Sequence, residues 1–262
     1  MRWKVMLDFL RDIFSALSHA AGDSADKEEP APAPDVPTVD TVTGWAGEPP
    51  YRYIDVSRWQ GTSIDWAKVK AAGYRGVMIR ALGNKNLAPY VDTCFEKNYA
   101  GAKAAGLDVG VYWYSTATTQ ALVNAELSML KNALRGKELT LPVAMDIEDA
   151  KLTALDKQDL TDLTAYALHE IEEMGFYAQL YTYTSFAKAH LFVGGAALHP
   201  YDVWLADYTG KTPKVDFKYN AHQHTSKGAV PGISGNVDLN VTTLNYPKII
   251  SKKGLTRLRE GK

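Results

Sequence analysis

The chain has 262 residues, 46% hydrophobic and 23% charged, which is enough to bury one sizeable core. A net charge of -1 gives no basis for a nucleic-acid partner, and the single cysteine, Cys94, excludes an intrachain disulfide and a cysteine-built metal site. No stretch of the sequence approaches the roughly 18 consecutive apolar residues of a membrane span.

Residues 1–22, MRWKVMLDFLRDIFSALSHAAG, space Trp3, Met6, Leu10, Ile13 and Leu17 three and four apart, as an amphipathic helix does. The basic start and the small residues near Ala20 resemble a signal peptide, but Asp8, Arg11 and Asp12 interrupt its apolar region. A helix that lies on a membrane surface or associates with itself is the expectation. Residues 23–50 are acidic and proline-rich, cannot bury enough apolar surface to order themselves, and read as an extended linker. The folded domain is expected over 51–246, and residues 247–262 read as a basic, solvated tail.

From Tyr51 onward, short β-branched or aromatic runs alternate with helical stretches. YRYIDVS, GVMIRA, DVGVYWYS, LPVAMDIE, YAQLYTYT, DVWLADY, NAHQHTS and NVDLN read as strands. Four helical stretches lie between the early ones and end at Gly73, Gly106, Gly136 and Gly175, the residue best suited to a left-handed C-terminal cap. Helix, glycine, short turn and strand recur, so the chain is a series of βα units with a mostly parallel sheet. The last three strands come without long helices between them. An α/β barrel with an irregular C-terminal end fits this better than an open sheet, and no glycine-rich phosphate loop follows the first strand.

Side chains alternate along a strand. In LPVAMDIE, Leu141, Val143, Met145 and Ile147 share the face toward the helices, while Pro142, Ala144, Asp146 and Glu148 face the barrel interior. In YIDVS, Tyr53 and Asp55 point inward; in NVDLN, Asn236, Asp238 and Asn240 share a face. Three strands thus aim carboxyl groups into one mouth, at the end where such barrels do chemistry. Asp149 falls out of phase, as a cap or a solvent-facing group. Converging carboxyls raise one pKa while others stay ionised, and an acid paired with a base of the same type is the signature of glycoside hydrolysis. Tyr112, Trp113, Tyr114, Tyr181, Tyr183, Trp59, Trp204 and Tyr208 lie at or near strand ends, where rings could stack on sugars, although alternation requires about half of them to be core. His222 and His224 are too few for a metal site, so neither a metal nor a cofactor is expected.

DVSRWQG, IDWAKVKAAG, GAKAAGLDVGVYWY, PVAMDIED, VWLADY and GISGNVDLN resemble, in order, the landmarks of the glycoside hydrolase family 25 lysozymes. The resemblance runs from about Tyr53 to Val241. It implies an irregular TIM-like (β/α)5β3 barrel and cleavage of the β-1,4 bond from N-acetylmuramic acid to N-acetylglucosamine in peptidoglycan. Carried over by position, Glu148 matches the general acid, Asp146 its partner carboxylate, and Asp55 and Asp238 the two other acids. Asp146 is expected to support participation of the sugar's 2-acetamido group, with Asp55 or Asp238 as the competing base in an inverting scheme. Arg80, Tyr112, Tyr114, Tyr181, Tyr183, Trp204 and Gln223 are the expected substrate contacts. This sequence departs from the family at RALGN, which lacks an acid after the second strand, and at His222-Gln223-His224-Thr225, where imidazoles replace aromatics. A chitinase-like hydrolase and a non-catalytic wall-binding module are the alternatives. The expected partner is the peptidoglycan glycan strand at the bacterial cell wall, reached by secretion or by phage release.

Overall fold

A computed structural model describes residues 51–259 of the chain. The expected helix over 1–22 and the linker over 23–50 lie outside the described residues. Among the described residues, nine strands form one sheet: β1 (Tyr51–Val56), β2 (Gly76–Lys85), β3 (Ala88–Val91), β4 (Asp108–Tyr114), β5 (Val143–Asp146), β6 (Ala178–Tyr183), β7 (Asp202–Ala206), β8 (Ala221–Gly228) and β9 (Val237–Thr242). Their order is β1-β9-β8-β7-β6-β5-β4-β2-β3, and β1 also pairs with β2, which closes eight strands into a barrel and leaves β3 as an extra edge. Pairing is parallel from β1 through β2, β4, β5, β6 and β7 to β8; β9 runs antiparallel to both β8 and β1. Five βα pairs followed by β7, β8 and β9 give the expected (β/α)5β3 order.

The helices are α1 (Trp66–Ala71), α2 (Phe95–Ala104), α3 (Gln120–Ala133), α4 (Lys157–Met174), α5 (Thr184–His190) and α6 (Tyr246–Lys253). Side chains cap several N-termini: Asp65 accepts from Lys68 N, Thr119 from Leu122 N and Asp156 from Asp159 N. In α4 the buried Leu160, Thr164, Ala167, Leu168 and Ile171 recur at three and four, so one stripe faces the sheet. The chain then leaves through Gly175 at φ 101°, the left-handed conformation that its sequence position suggested. Two apolar layers result. Ile54, Val56, Val77, Ile79, Val143, Met145 and Ile147 pack outward against the helices, whereas Tyr53, Met78, Ala144, Tyr181 and Trp204 fill the barrel.

Four elements differ from the sequence reading. β2 continues to Lys85 and folds back as β3 through Asn86 and Leu87, both at positive φ, the geometry of a two-residue hairpin turn. α5 is a short helix between β6 and β7 that the pattern did not reveal. Leu141 lies with the interior cluster rather than toward the helices, because the ladder begins only at Val143 and alternation does not govern the residues before it. The region 247–262 is not wholly a solvated tail. Asn245 caps α6, Tyr246, Ile249 and Ile250 bury one face, and Thr256 bridges to Phe176. Lys248, Lys252 and Lys253 of α6 are exposed, while the apolar stripe meets the barrel where β6 and β7 begin, the Tyr246 hydroxyl bonding with Gln179 and Asp202.

Candidate active site

β1 and β9 run antiparallel with Asp55 directly opposite Asp238. Residues so opposed carry Cβ atoms about 4.5–5.5 Å apart, which forces two carboxyl groups together. β5 ends on Asp146, flanked by Tyr114 of β4 and Tyr181 of β6, and Glu148 follows two residues later on the chain leaving the barrel mouth. Asp55 and Asp146 are each only 4% exposed.

Asp55 is held by amides. Its Oδ2 accepts from Gln223 Nε2 at 2.9 Å and from Asn240 Nδ2 at 2.8 Å. The amide oxygens are taken from the other side: Tyr181 (2.9 Å) and Tyr208 donate hydroxyls to Gln223 Oε1, and Trp204 Nε1 donates to Asn240 Oδ1 at 2.8 Å. Each amide therefore has no choice but to turn its NH2 toward Asp55. Asp146 differs, since its Oδ1 is buried with no hydrogen-bond partner among the described residues.

Burial, then Asp238 and Glu148, raise Asp55 well above the usual carboxylate range, against the lowering effect of its two amide bonds. Burial, then Glu148 and Asp55, do the same to Asp146. Burial raises Asp238, and a hydrogen bond shared with Asp55 pulls it back. Glu148 rises to about 7, chiefly through burial and then through Asp238 and Asp149. A carboxyl that keeps its proton to neutrality beside others that are more buried can donate that proton to a bound oxygen atom.

Glu148, Tyr181, Tyr183, Thr184, Asp207 and Tyr208 are among the residues lining a cleft of about 290 Å³. Of the expected contacts, Tyr181 and Tyr183 line it, while Gln223 lies behind the first of these. Tyr112 is near enough to Asp55, Asp146 and Asp238 for their charges to act on it. Tyr114 instead donates to Asp149 Oδ2 at 2.8 Å, and Asp149 caps the 3-10 turn Ala150–Ala154. Arg80 and Trp204, two of the expected contacts, do not line this cleft. Arg80 is paired with Asp92 at 2.7 Å with its side chain 11% exposed, and its charge reaches Asp146 and Tyr112 from within the protein. Trp204 is 1% exposed, with Tyr53, Tyr112 and Tyr181 rings packed around it. It supports Asn240 from below and offers no face to a sugar. His222 bonds to the Asp207 carbonyl at 3.0 Å, and neither it nor His224 lines the cleft.

Asn240, Asp92 and the cleft residues Thr184 and Asp207 escaped the sequence reading. Alternation did put Asn240 on the inward face with Asp238, but nothing in the residue order shows that its amide meets Asp55 across the β1–β9 ladder.

The sequence model of glycosyl hydrolases family 25 matches residues 54–233. The chain belongs to glycosyl hydrolase family 25. An autolytic lysozyme of Clostridium acetobutylicum is 32% identical over 186 residues, covering 71% of this chain and 54% of the relative, so the chain spans about half the relative's length. The crystal structure of the CTP1L endolysin matches with a TM-score of 0.65 at 27% identity, over 77% of this chain and 70% of that one. A bacterial lysozyme from Streptomyces coelicolor shares the fold with a TM-score of 0.66 at 24% identity, over 79% of this chain and 98% of that one. The family 25 match includes Asp55, Asp146 and Glu148 but stops before Asp238, which joins them through the β1–β9 register alone.

Proposed function

We propose that this family 25 chain is a peptidoglycan hydrolase, an N-acetylmuramidase that cleaves the β-1,4 bond from N-acetylmuramic acid to N-acetylglucosamine. The observation that carries the reading is Glu148, a carboxyl raised to about 7 on the wall of a cleft, two residues from a buried Asp146 whose Oδ1 has no partner among the described residues. In this reading Glu148 protonates the glycosidic oxygen as the bond to the anomeric carbon breaks. Asp146 Oδ1 accepts the N–H of the sugar's 2-acetamido group and orients its carbonyl oxygen onto the anomeric carbon. The positive charge of the resulting ring is stabilised by the Asp146 carboxylate. Glu148, now ionised, takes a proton from the water that opens the ring and is thereby reset. Asp55 and Asp238 share a proton and keep a second full charge from forming next to Asp146.

Reducing-end analysis of digested peptidoglycan tests the function: new muramic acid ends are expected. Digestion of chitin alone would assign a chitinase-like enzyme, and binding without cleavage a wall-binding module. Proton NMR of the first-formed product should show retained anomeric configuration; inversion would move the base role to Asp55 or Asp238. The proposed place of action is the bacterial cell wall, reached by secretion or by release during phage lysis. Residues 1–22 are the proposed membrane-surface or self-association element, which sedimentation with and without lipid vesicles tests.

A further inference from the structure

The loop after β1 is pinned at each of its ends. Ser57 N donates to Gln60 Oε1 at 3.0 Å, Arg58 N to Asp92 Oδ2 at 3.1 Å, and Gln60 Nε2 to the Asn236 carbonyl at 3.1 Å. Asn98 Nδ2 donates to the Gly61 carbonyl at 3.0 Å. A segment fixed this firmly nevertheless holds Trp59 75% exposed. A large exposed aromatic on a rigid support is where a ligand surface is to be sought, since nothing in the fold benefits from it.

The Arg58 guanidinium lies over the Trp59 ring at 4.9 Å and over the Tyr90 ring at 5.7 Å. Tyr90 is placed by β3, where it pairs with Gly83; any Cβ at Gly83 would collide with the Tyr90 ring. The arginine is exposed, and its side chain makes no hydrogen bond or ion pair among the described residues. Aromatic contacts engage a guanidinium through its face and leave its N–H edge available, in the planar fork that matches a carboxylate. Arg58 follows Asp55 by three residues, so this free cation stands on the rim of a mouth lined with acids. An anionic polymer approaching Asp55, Asp146, Glu148 and Asp238 finds in Arg58 an exposed cation beside this acidic mouth that can receive its charge.

We infer that Arg58, held by Trp59 and Tyr90, is a carboxylate-binding subsite that receives an acidic substituent of the glycan strand, either a carboxylate of an attached stem peptide or, on residues that carry no stem, the free lactyl carboxylate. This rests on the peptidoglycan reading above. It assigns charge recognition to the β1 loop and the β2–β3 hairpin, outside the cleft beside Glu148.

The test is sedimentation binding to purified peptidoglycan, native or with its carboxyl groups converted to amides, using the full chain with Glu148→Gln so that the ligand stays intact. The expected result is about fivefold tighter binding to the native strands, a preference that disappears when Arg58→Ala is added and is partly kept by Arg58→Lys. Equal binding to the two ligands, or a preference that persists in Arg58→Ala, overturns the inference. An amidase removes the stems and frees the lactyl carboxylates that the stems held as amides: an Arg58-dependent preference for stripped strands over stripped strands amidated afterwards assigns the lactyl group as a ligand, and its absence assigns the native preference to the stem. Cleavage of native strands by the unaltered enzyme is measured in parallel, so failure of the muramidase reading registers separately from failure of the subsite. Thermal melts confirm that the Arg58 variants fold.

Discussion

Glu126 and Asp202 are as inaccessible as Asp55 and Asp146, yet their surroundings are of a different kind. Glu126, on α3, accepts from Ser115 Oγ (2.7 Å), Asn84 Nδ2 (2.9 Å), Trp113 Nε1 (3.2 Å) and Thr116 N (3.3 Å). Asp202, opening β7, accepts from Asn220 Nδ2 (2.7 Å), Val203 N (2.9 Å), Gln179 Nε2 (3.0 Å) and the Tyr246 hydroxyl. Burial raises both, and in each case the donors pull against it. At the mouth Asp55 takes two amide donors but also faces Asp238 and Glu148, and Asp146, beside Glu148 and Asp55, keeps an oxygen with no donor among the described residues. Burial alone therefore does not mark a chemical site. A carboxylate whose lone pairs are filled by protein donors holds the fold together; one left facing like charges is kept for a ligand.

The sharpest attempt to break this contrast is Glu148→Gln. It should lower kcat on peptidoglycan by about a thousandfold while leaving the fold intact, and unchanged lysis would remove Glu148 from the acid role. Asp146→Asn comes next, with a fall of about a hundredfold in turnover and, because a destabilising buried charge is lost, a melting temperature no lower than the parent's. Glu126→Ala should do the reverse. Leaving four donors unmet costs about 2–4 kcal/mol in denaturant unfolding, with turnover per folded molecule preserved. If Glu126→Ala instead lost activity without losing stability, the division between the two sets would be wrong.

The pH dependence follows from the sign of the Glu148 shift. Its proton is retained to about 7, above its ordinary value of 4.5, so the acid form is lost and turnover should fall about tenfold per pH unit above that point. The same shift means that the folded chain binds more protons than the unfolded chain between 4.5 and 7. Stability contributed by Glu148 is thus full below that window and is lost as pH rises through it, which urea unfolding at several pH values measures. The smallest effect belongs to Tyr208→Phe. Tyr181 still donates to Gln223 Oε1, so a loss of only a few-fold in kcat is expected.

Much of this was legible in the residue order. The βα alternation, the glycine helix ends and the inward phase of Asp55, Asp146, Glu148 and Asp238 all follow from periods of two and 3.6, which are local properties of the chain. Tertiary packing decided the rest. Trp204 and Tyr183 look alike as aromatics near strand ends, yet one is enclosed by three rings and the other lines the cleft. Arg80 could not be told from a ligand-binding cation until Asp92 was seen to meet it. Asn240 and Gln223 became partners of Asp55 only when β8, β9 and β1 came into register. Which groups become neighbours, and how dry their surroundings are, depends on residues as many as 185 positions apart in the chain, as Asp55 and Asn240 are. Local spacing fixes the direction of a side chain; the company it keeps there, and hence its pKa and its work, is set by barrel closure.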